Sequence, residues 1–136
     1  MYQKWPLLNN RYQVLSLHGK GGFSEIYKAV DLETDTYKIL KLHKIKDDWS
    51  QQRKEYYYNQ SIKEGKVLKS LNHENIIKFD DFLVMDQNNF ATIMEFCDGI
   101  DLGAYIQTKK CLPEYEVKDI MKQIIFAVLF LYPIFL

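Results

Sequence analysis

The first half of the chain contains three short apolar-rich runs, bounded by polar or glycine-rich segments, that are typical of β-strands. These runs cover residues 11–17, 25–30 and 37–43, and each is rich in Tyr, Val, Ile or Leu. Four residues with three glycines, 19–22, separate the first two runs, and the polar segment 31–36 separates the last two. Because short turns return a chain alongside itself, the pattern predicts an antiparallel meander of three strands.

The next segment changes to a helical period. Five positions between residues 50 and 71 fall at steps of three or four and share one predicted helix face. They are Tyr57, Ser61, Glu64, Leu68 and Leu71. Ser50 or Asp48 is the candidate N-cap of this helix.

The second half begins with two further strand-like runs, residues 76–84 and 90–96, on either side of a polar turn. A short helix is predicted over residues 101–107. A longer helix is predicted over residues 113–132, with Pro133 expected to end it. This order of elements predicts an α+β fold in which a five-stranded antiparallel sheet packs against a helix.

Composition narrows the class of protein. The 136 residues are 47% hydrophobic, and 18 Lys and Arg balance 18 Asp and Glu. A formal net charge of zero argues against nucleic-acid binding through bulk positive charge. Cys97 and Cys111 are too few for a disulfide framework and, with three histidines, show no metal-ligand spacing. Residues 1–10 contain no secretory signal, so we expect an intracellular chain. The lack of metal-ligand spacing predicts that the chain has no metal site.

An uncharged apolar run, IIFAVLFLYPIFL, occupies residues 124–136. A membrane-spanning helix needs about 20 apolar residues, so a membrane anchor is the weaker interpretation and the end of a core helix is the stronger one. A core helix needs a partner surface, however, and the family resemblance given below implies that six large apolar residues lack one, because the segments that cover this helix in the family are not among these 136 residues. The six are Ile120, Ile124, Ile125, Val128, Leu129 and Leu131.

The candidate chemistry begins at the glycines. A Walker loop needs Gly-Lys followed by Ser or Thr and a helix, whereas Gly19-Lys20 is followed by Gly21. A Rossmann loop also needs a helix after its glycines, but residues 25–30 have a strand pattern. The glycines therefore lie at the tip of a predicted β-hairpin, where backbone amides without shielding side chains can approach phosphate oxygens.

Two charged residues could complete a phosphate site. Lys41 lies two residues after Ile39 on the third strand, so both side chains face one side of the sheet. Glu64 falls in the middle of the apolar helix face, where a carboxylate is costly unless a cation pairs with it. We therefore expect Lys41 and Glu64 to pair across the space between sheet and helix.

These residues resemble the motifs of eukaryotic protein kinases. Residues 19–29 (GKGGFSEIYKA) look like the glycine-rich loop, and residues 39–41 (ILK) stand where the family has Ala-x-Lys. Residues 71–77 (LNHENII) resemble the segment after the αC helix, and residues 94–99 (MEFCDG) resemble the hinge between the two lobes.

Within that family, the chain looks closest to the tousled-like serine/threonine kinases. The points of likeness are residues 8–12 (LNNRY), the loop at 19–29, His43 followed by DWS at 48–50, and EFCDG at 95–99. The resemblance implies an N-terminal extension at residues 1–10 and an N-lobe with hinge at 11–97. It places the αD and αE helices of a partial C-lobe at 98–136.

The resemblance also implies ATP as the ligand and assigns residues to it. The loop residues Gly19, Lys20, Gly21, Gly22, Phe23 and Ser24 would cover the phosphates. Lys41, held by Glu64, would contact the α- and β-phosphates. Ile26 and Ile39 would line the adenine pocket, with Met94 as gatekeeper, and Ile39 adds bulk where the family prefers alanine. Glu95 and Cys97 would offer hinge backbone groups to adenine, and Asp101 would accept from the ribose.

The residues that perform phosphoryl transfer in this family are not among these 136. The chain contains neither His-Arg-Asp nor His-Tyr-Asp, and no Asp-Phe-Gly. We therefore assign no catalytic and no metal-binding residue, although the complete family domain uses Mg²⁺. The expectation is an incomplete catalytic domain that is inactive alone; the alternative is a non-catalytic module that binds nucleotide or a partner. The resemblance further implies a protein substrate and a nuclear location.

Overall fold

The computed structural model describes residues 6–86 and 88–135. Predictions for residues 1–5 of the N-terminal extension, for Gln87 in the predicted turn and for Leu136 lie outside the described residues. Nine elements follow in order: β1 (Leu7–Leu8), β2 (Tyr12–Lys20), β3 (Ser24–Asp31), β4 (Thr36–Lys44), α1 (Gln51–Ser70), β5 (Phe79–Val84), β6 (Asn89–Glu95), α2 (Leu102–Lys109) and α3 (Glu114–Phe135). They form two compact units. The first comprises residues 6–71 and 78–96, and the second comprises residues 72–77 and 97–135.

The first unit contains one antiparallel sheet with the strand order β1-β2-β3-β4-β6-β5. The prediction of five strands was one short, because β1 is only two residues long and cannot show an alternating pattern. The other five strands lie where the pattern predicted them. β5 begins at Phe79 rather than at residue 76. The α+β class and the antiparallel sheet with its helix are confirmed.

The sheet buries its main apolar cluster on one face. Side chains from β2, β3, β4 and β6 form this cluster: Tyr12, Val14, Ala29, Leu40, Ala91 and Ile93. They belong to neighbouring rows of the ladder, where alternate residues point to the same side. Helix α1 packs against the opposite face, where Lys41, His43, Thr92 and Met94 lie.

Helix α1 begins where Ser50 caps it, since the Ser50 side chain accepts a hydrogen bond from the Arg53 backbone amide at 3.3 Å. Its buried residues are Ser61 and Gly65, not Glu64, which is exposed. The prediction that Glu64 lies on the buried face is wrong. Gly65 lacks a side chain, so the helix approaches Phe79 of β5 most closely there and Glu64 lies at the edge of the contact.

The second unit contains α2 and α3. Helix α3 continues through Pro133 to Phe135, so the predicted end at residue 132 was too early. A proline in the final turn removes one backbone hydrogen bond and leaves little helix to disrupt. His73 lies near this helix as a packing residue: its ring is 5.0 Å from that of Phe130, and its Nδ1 accepts a hydrogen bond from the Asn75 amide. In the described part of the chain, no helix is both long and apolar enough to cross a bilayer.

Candidate functional site

The strand register brings several of the predicted site residues onto one face of the sheet. Ile26 of β3 lies opposite Lys41 of β4, and Ile39 of β4 lies opposite Met94 of β6. Residues opposite each other, and residues two apart on one strand, share a face. Ile26, Ile39, Lys41 and Met94 therefore line the side of the sheet that α1 covers.

A cavity of about 50 Å³ lies between this face and α1. Lys41, Met94 and Thr92 from the sheet, and Ser61 and Glu64 from the helix, are among its lining residues. A space of this size holds one or two water molecules rather than an aromatic ring. The cavity thus brings Lys41 and Glu64 to one place without itself being an adenine pocket.

The predicted ion pair is not formed. Within the described residues, the Lys41 ammonium and the Glu64 carboxylate do not come within the 4.0 Å of an ion pair. Glu64 is exposed and Lys41 is half-buried. The argument for pairing assumed a buried carboxylate, and a carboxylate that remains in water does not need a cation.

The glycine hairpin between β2 and β3 is fixed below its tip by Glu25. The Glu25 carboxylate pairs with Lys44 at 2.6 Å and Lys20 at 3.4 Å, and it accepts a hydrogen bond from the Tyr27 hydroxyl at 2.7 Å. Lys44 and then Tyr27 lower the pKa of Glu25 to about 2. At the tip, the Gly21 amide donates to the Ser24 carbonyl at 2.7 Å. Glu25 was not singled out from the sequence, although the hairpin places its negative charge opposite the positive charge of Lys20.

The predicted hinge residues have defined backbone or capping roles. Glu95 is held at the end of β6, where its amide donates to the Lys78 carbonyl and its carboxylate accepts from the Lys78 amide. Cys97 and Asp101 belong to the second unit, and both are exposed. Asp101 is the N-cap of α2, because its Oδ1 accepts a hydrogen bond from the Ala104 amide at 2.8 Å.

A buried histidine next to the cavity was not recognised as part of the site. His43 Nδ1 is 3.1 Å from the Tyr57 hydroxyl, and its Nε2 is 3.3 Å from the Thr92 hydroxyl. Its ring stacks on Phe90 with centroids 4.5 Å apart. Burial, and secondarily the charge of Lys41, lowers the pKa of His43 to about 4. Its spacing of two from Lys41 on a strand was the signal that could have found it.

No three His, Cys, Asp or Glu side chains come together as a metal site within the described residues. The glycine hairpin, Lys41 and β6 all belong to the first unit, whereas Cys97 and Asp101 belong to the second.

Comparisons with known proteins point to one family. The family model described as the protein kinase domain matches residues 12–134. The chain is 38% identical over 130 residues to serine/threonine-protein kinase tousled-like 1-B of Danio rerio, covering 96% of this chain and 17% of that protein. It is 38% identical to tousled-like 2 of Homo sapiens, with 96% and 17% covered. It is 39% identical to TOUSLED of Arabidopsis thaliana, with 96% and 19% covered.

The chain spans less than a fifth of the length of these three relatives. The family match itself runs from β2 through nearly all of α3, which is most of the chain. The chain belongs to the protein kinase domain family, and the relatives it matches are tousled-like serine/threonine kinases.

Proposed function

We propose that this chain is the ATP-binding portion of a tousled-like serine/threonine protein kinase domain. The observation that carries the proposal is the openness of the glycine hairpin. A Cβ added at Gly19 or Gly22 would meet no atom within 4 Å. Gly99 is the only glycine of the described chain with a positive φ, so the backbone at Gly19 and Gly22 does not require glycine either.

We attribute the absence of side chains at these positions to a ligand, because neither the space around them nor their backbone conformation requires glycine. Backbone amides at a hairpin tip can cradle phosphate oxygens only if no side chain separates them. In ATP, the triphosphate would supply those oxygens. We assign its cover to the residues of the loop: Gly19, Lys20, Gly21, Gly22, Phe23 and Ser24.

The remaining assignments follow the sheet face and the hinge. Ile26, Ile39 and Met94 would surround adenine, and the backbone of Glu95 and Cys97 would face its edge. Asp101 would accept from the ribose, although its carboxylate caps α2 in the structure described here. Lys41 would bind the α- and β-phosphates.

Glu64 would hold Lys41 only when a phosphate is present. Both side chains line the same cavity, yet Glu64 remains in solvent and the two are unpaired. Bound phosphates would draw Lys41 into a defined position and exclude water around Glu64, which strengthens their attraction. The ion pair would thus form on ligand binding.

The decisive test is ATP binding to the 136-residue chain, immobilised at low density on a biosensor, with Mg²⁺ in the flow. Gly22→Ala places a methyl group in the proposed phosphate path and should weaken ATP binding about tenfold, the scale of a lost hydrogen bond to a charged group. Its folding stability should be unchanged or about 0.4–1 kcal/mol higher, since alanine restricts the unfolded chain. Lys41→Ala should weaken ATP binding at least as much.

Lys122→Ala is the matched control for Lys41→Ala, because Lys122 is an exposed lysine on α3 and lies outside the hairpin and the sheet. It should bind ATP like the unmodified chain. Equal ATP affinity of the Gly22→Ala, Lys41→Ala and unmodified chains would refute the proposed site.

We further propose that these 136 residues do not transfer phosphate by themselves. The aspartates that orient the substrate hydroxyl and hold Mg²⁺ in kinases are not among them. Incubation with radiolabelled ATP, Mg²⁺ and a generic Ser/Thr substrate should leave both chain and substrate unlabelled. Labelling that Lys41→Met abolishes would contradict this expectation.

A further inference from the structure

A row of aromatic rings connects the glycine hairpin to helix α1. Phe23, at the hairpin tip, lies 5.4 Å from Trp49, and Trp49 lies 5.4 Å from Tyr57, both in edge-to-face contacts. The Tyr57 hydroxyl then reaches His43 Nδ1 at 3.1 Å. We call these four residues, Phe23, Trp49, Tyr57 and His43, the aromatic row.

Two members of the aromatic row, Trp49 and Phe23, are also held by cations beside their rings. The Arg53 guanidinium lies 4.2 Å above the Trp49 ring, and the Lys46 ammonium lies 5.2 Å from the Phe23 ring. The Phe23 carbonyl also accepts a hydrogen bond from the Lys44 amide at 3.1 Å. Edge-to-face ring pairs and cations over rings each contribute stabilisation beyond that of the apolar area that the rings bury. The row therefore has defined geometry rather than incidental proximity.

The row ends beside the two charged residues of the cavity. His43 follows Lys41 by two residues on β4, so both side chains are on one face. Tyr57 precedes Glu64 by seven residues, which is close to two helical turns, so both lie near one side of α1. A shift of α1 at Tyr57 would consequently move Glu64 relative to Lys41.

We propose that Tyr57 and Trp49 are positioning residues for phosphate binding. The contact between the Tyr57 hydroxyl and His43 fixes the position of α1 relative to the sheet. The ring contacts of Trp49 with Phe23 and Tyr57 link that helix to the glycine hairpin. Closing the hairpin over phosphates and bringing Glu64 towards Lys41 thereby become one event. This inference rests on the proposed ATP site and adds the residues that couple its two halves.

The tyrosine triplet at residues 56–58 provides the variant and its control. Tyr57→Phe removes the hydroxyl that reaches His43 and keeps the ring that packs against Trp49. Tyr56→Phe removes a hydroxyl from the same helix at a position that is 66% exposed. The pair separates the His43 contact from a general effect of losing a tyrosine hydroxyl.

The experiment compares ATP with adenosine, each with Mg²⁺, on the immobilised 136-residue chain. Tyr57→Phe should weaken ATP binding about three- to tenfold, the scale of one neutral hydrogen bond, and leave adenosine binding unchanged. Trp49→Phe should produce the same selective loss. A merely structural role would lower the folded fraction and reduce both affinities equally. Tyr56→Phe should match the unmodified chain for both ligands.

The outcomes distinguish this inference from the proposed function. If the unmodified chain binds neither ATP nor adenosine, the proposed function fails and the inference fails with it. If the unmodified chain prefers ATP, but Tyr57→Phe and Trp49→Phe keep the same ratio of ATP to adenosine affinity, the site stands and the positioning role is overturned.

Discussion

At the residue scale, His43 places a neutral imidazole inside the layer between sheet and helix. Its two ring nitrogens contact hydroxyl groups, which can accept as well as donate, so protonation would not by itself break those contacts. The cost of protonation comes from burial and from the nearby Lys41 charge, which lower the pKa of His43 to about 4. The histidine thus links folding to pH.

The direction of the pKa shift of His43 determines whether acid stabilises or destabilises the folded chain. In the unfolded chain His43 has a pKa of about 6.5, so the unfolded state takes up a proton at a higher pH than the folded state. The contribution of His43 to the unfolding free energy should be constant above pH 7.5 and fall by about 2–3 kcal/mol between pH 7.5 and 4.5. Urea unfolding, followed by tryptophan fluorescence at submicromolar concentration, measures this fall.

Two substitutions assign the slope to one residue. His43→Gln removes the titrating group and should flatten the profile between pH 7.5 and 4.5, whatever its effect on the total stability. His18→Gln changes an exposed histidine and should leave the slope intact. Below pH 4.5 other groups also change the unfolding free energy. The contacts that lower the pKa of Glu25 to about 2 stop stabilising the folded state when acid protonates its carboxylate. A slope that survives His43→Gln would show that another group is responsible.

At the element scale, the contact between α1 and β5 depends on a missing side chain. A Cβ at Gly65 would lie 2.9 Å from Cζ of Phe79, and the Phe79 ring is itself buried. Gly65→Ala gains about 1 kcal/mol of helix propensity but must displace a packed ring, which costs about 1–3 kcal/mol. We expect a net loss of about 1 kcal/mol in urea unfolding.

A double-mutant cycle tests the cause of that loss. In a Phe79→Leu background the ring is gone, so adding Ala at position 65 should be neutral or stabilising. If Gly65→Ala costs the same in both backgrounds, the contact with Phe79 does not determine its effect.

Gly65 also shows where sequence patterns stop being informative. Strand-like apolar runs predicted five strands, and the period of two along a strand predicted the common face of Ile39 and Lys41. Helical spacing predicted α1, and the residue types before it offered Ser50 or Asp48 as its N-cap, of which Ser50 is the cap. The pattern could not show that the closest helix contact is at a glycine, so it wrongly buried Glu64. A hydrophobicity pattern does not indicate where a glycine lets a helix approach a sheet.

The contacts that no pattern predicted are those between side chains on different strands and helices. The His43–Tyr57 hydrogen bond and the Glu25–Lys44 ion pair depend on tertiary register and on rotamers rather than on local propensity. The loop glycines and Lys41, in contrast, were found because their motif is local. The binding roles of these residues remain predictions for the experiments described above.

At the scale of the whole molecule, helix α3 presents an apolar surface to solvent. Ile124 and Ile125 are 45% and 48% exposed, and Val128 and Leu129 are 56% and 62% exposed. Of the six residues expected to lack cover, these four are exposed and Ile120 and Leu131 are half-buried. Contiguous exposed apolar side chains on a helix mark a contact surface or a tendency to associate.

We therefore expect the 136-residue chain to self-associate at micromolar concentration. Burying one such side chain fully is worth roughly 1.5–3 kcal/mol, so several together rival the net stability of a domain, about 5–15 kcal/mol. Replacing Ile125, Val128 and Leu129 by Gln removes the driving force while keeping good helix formers, and trimming the chain after Leu112 removes the helix.

Gel filtration with light scattering should show larger species for the unmodified chain and monomers for both variants. Lys118→Gln with Lys122→Gln, on the same helix, should associate like the unmodified chain. A monodisperse monomer for all 136 residues, without detergent or partner, would contradict the expectation and show that the α3 surface is covered in solution.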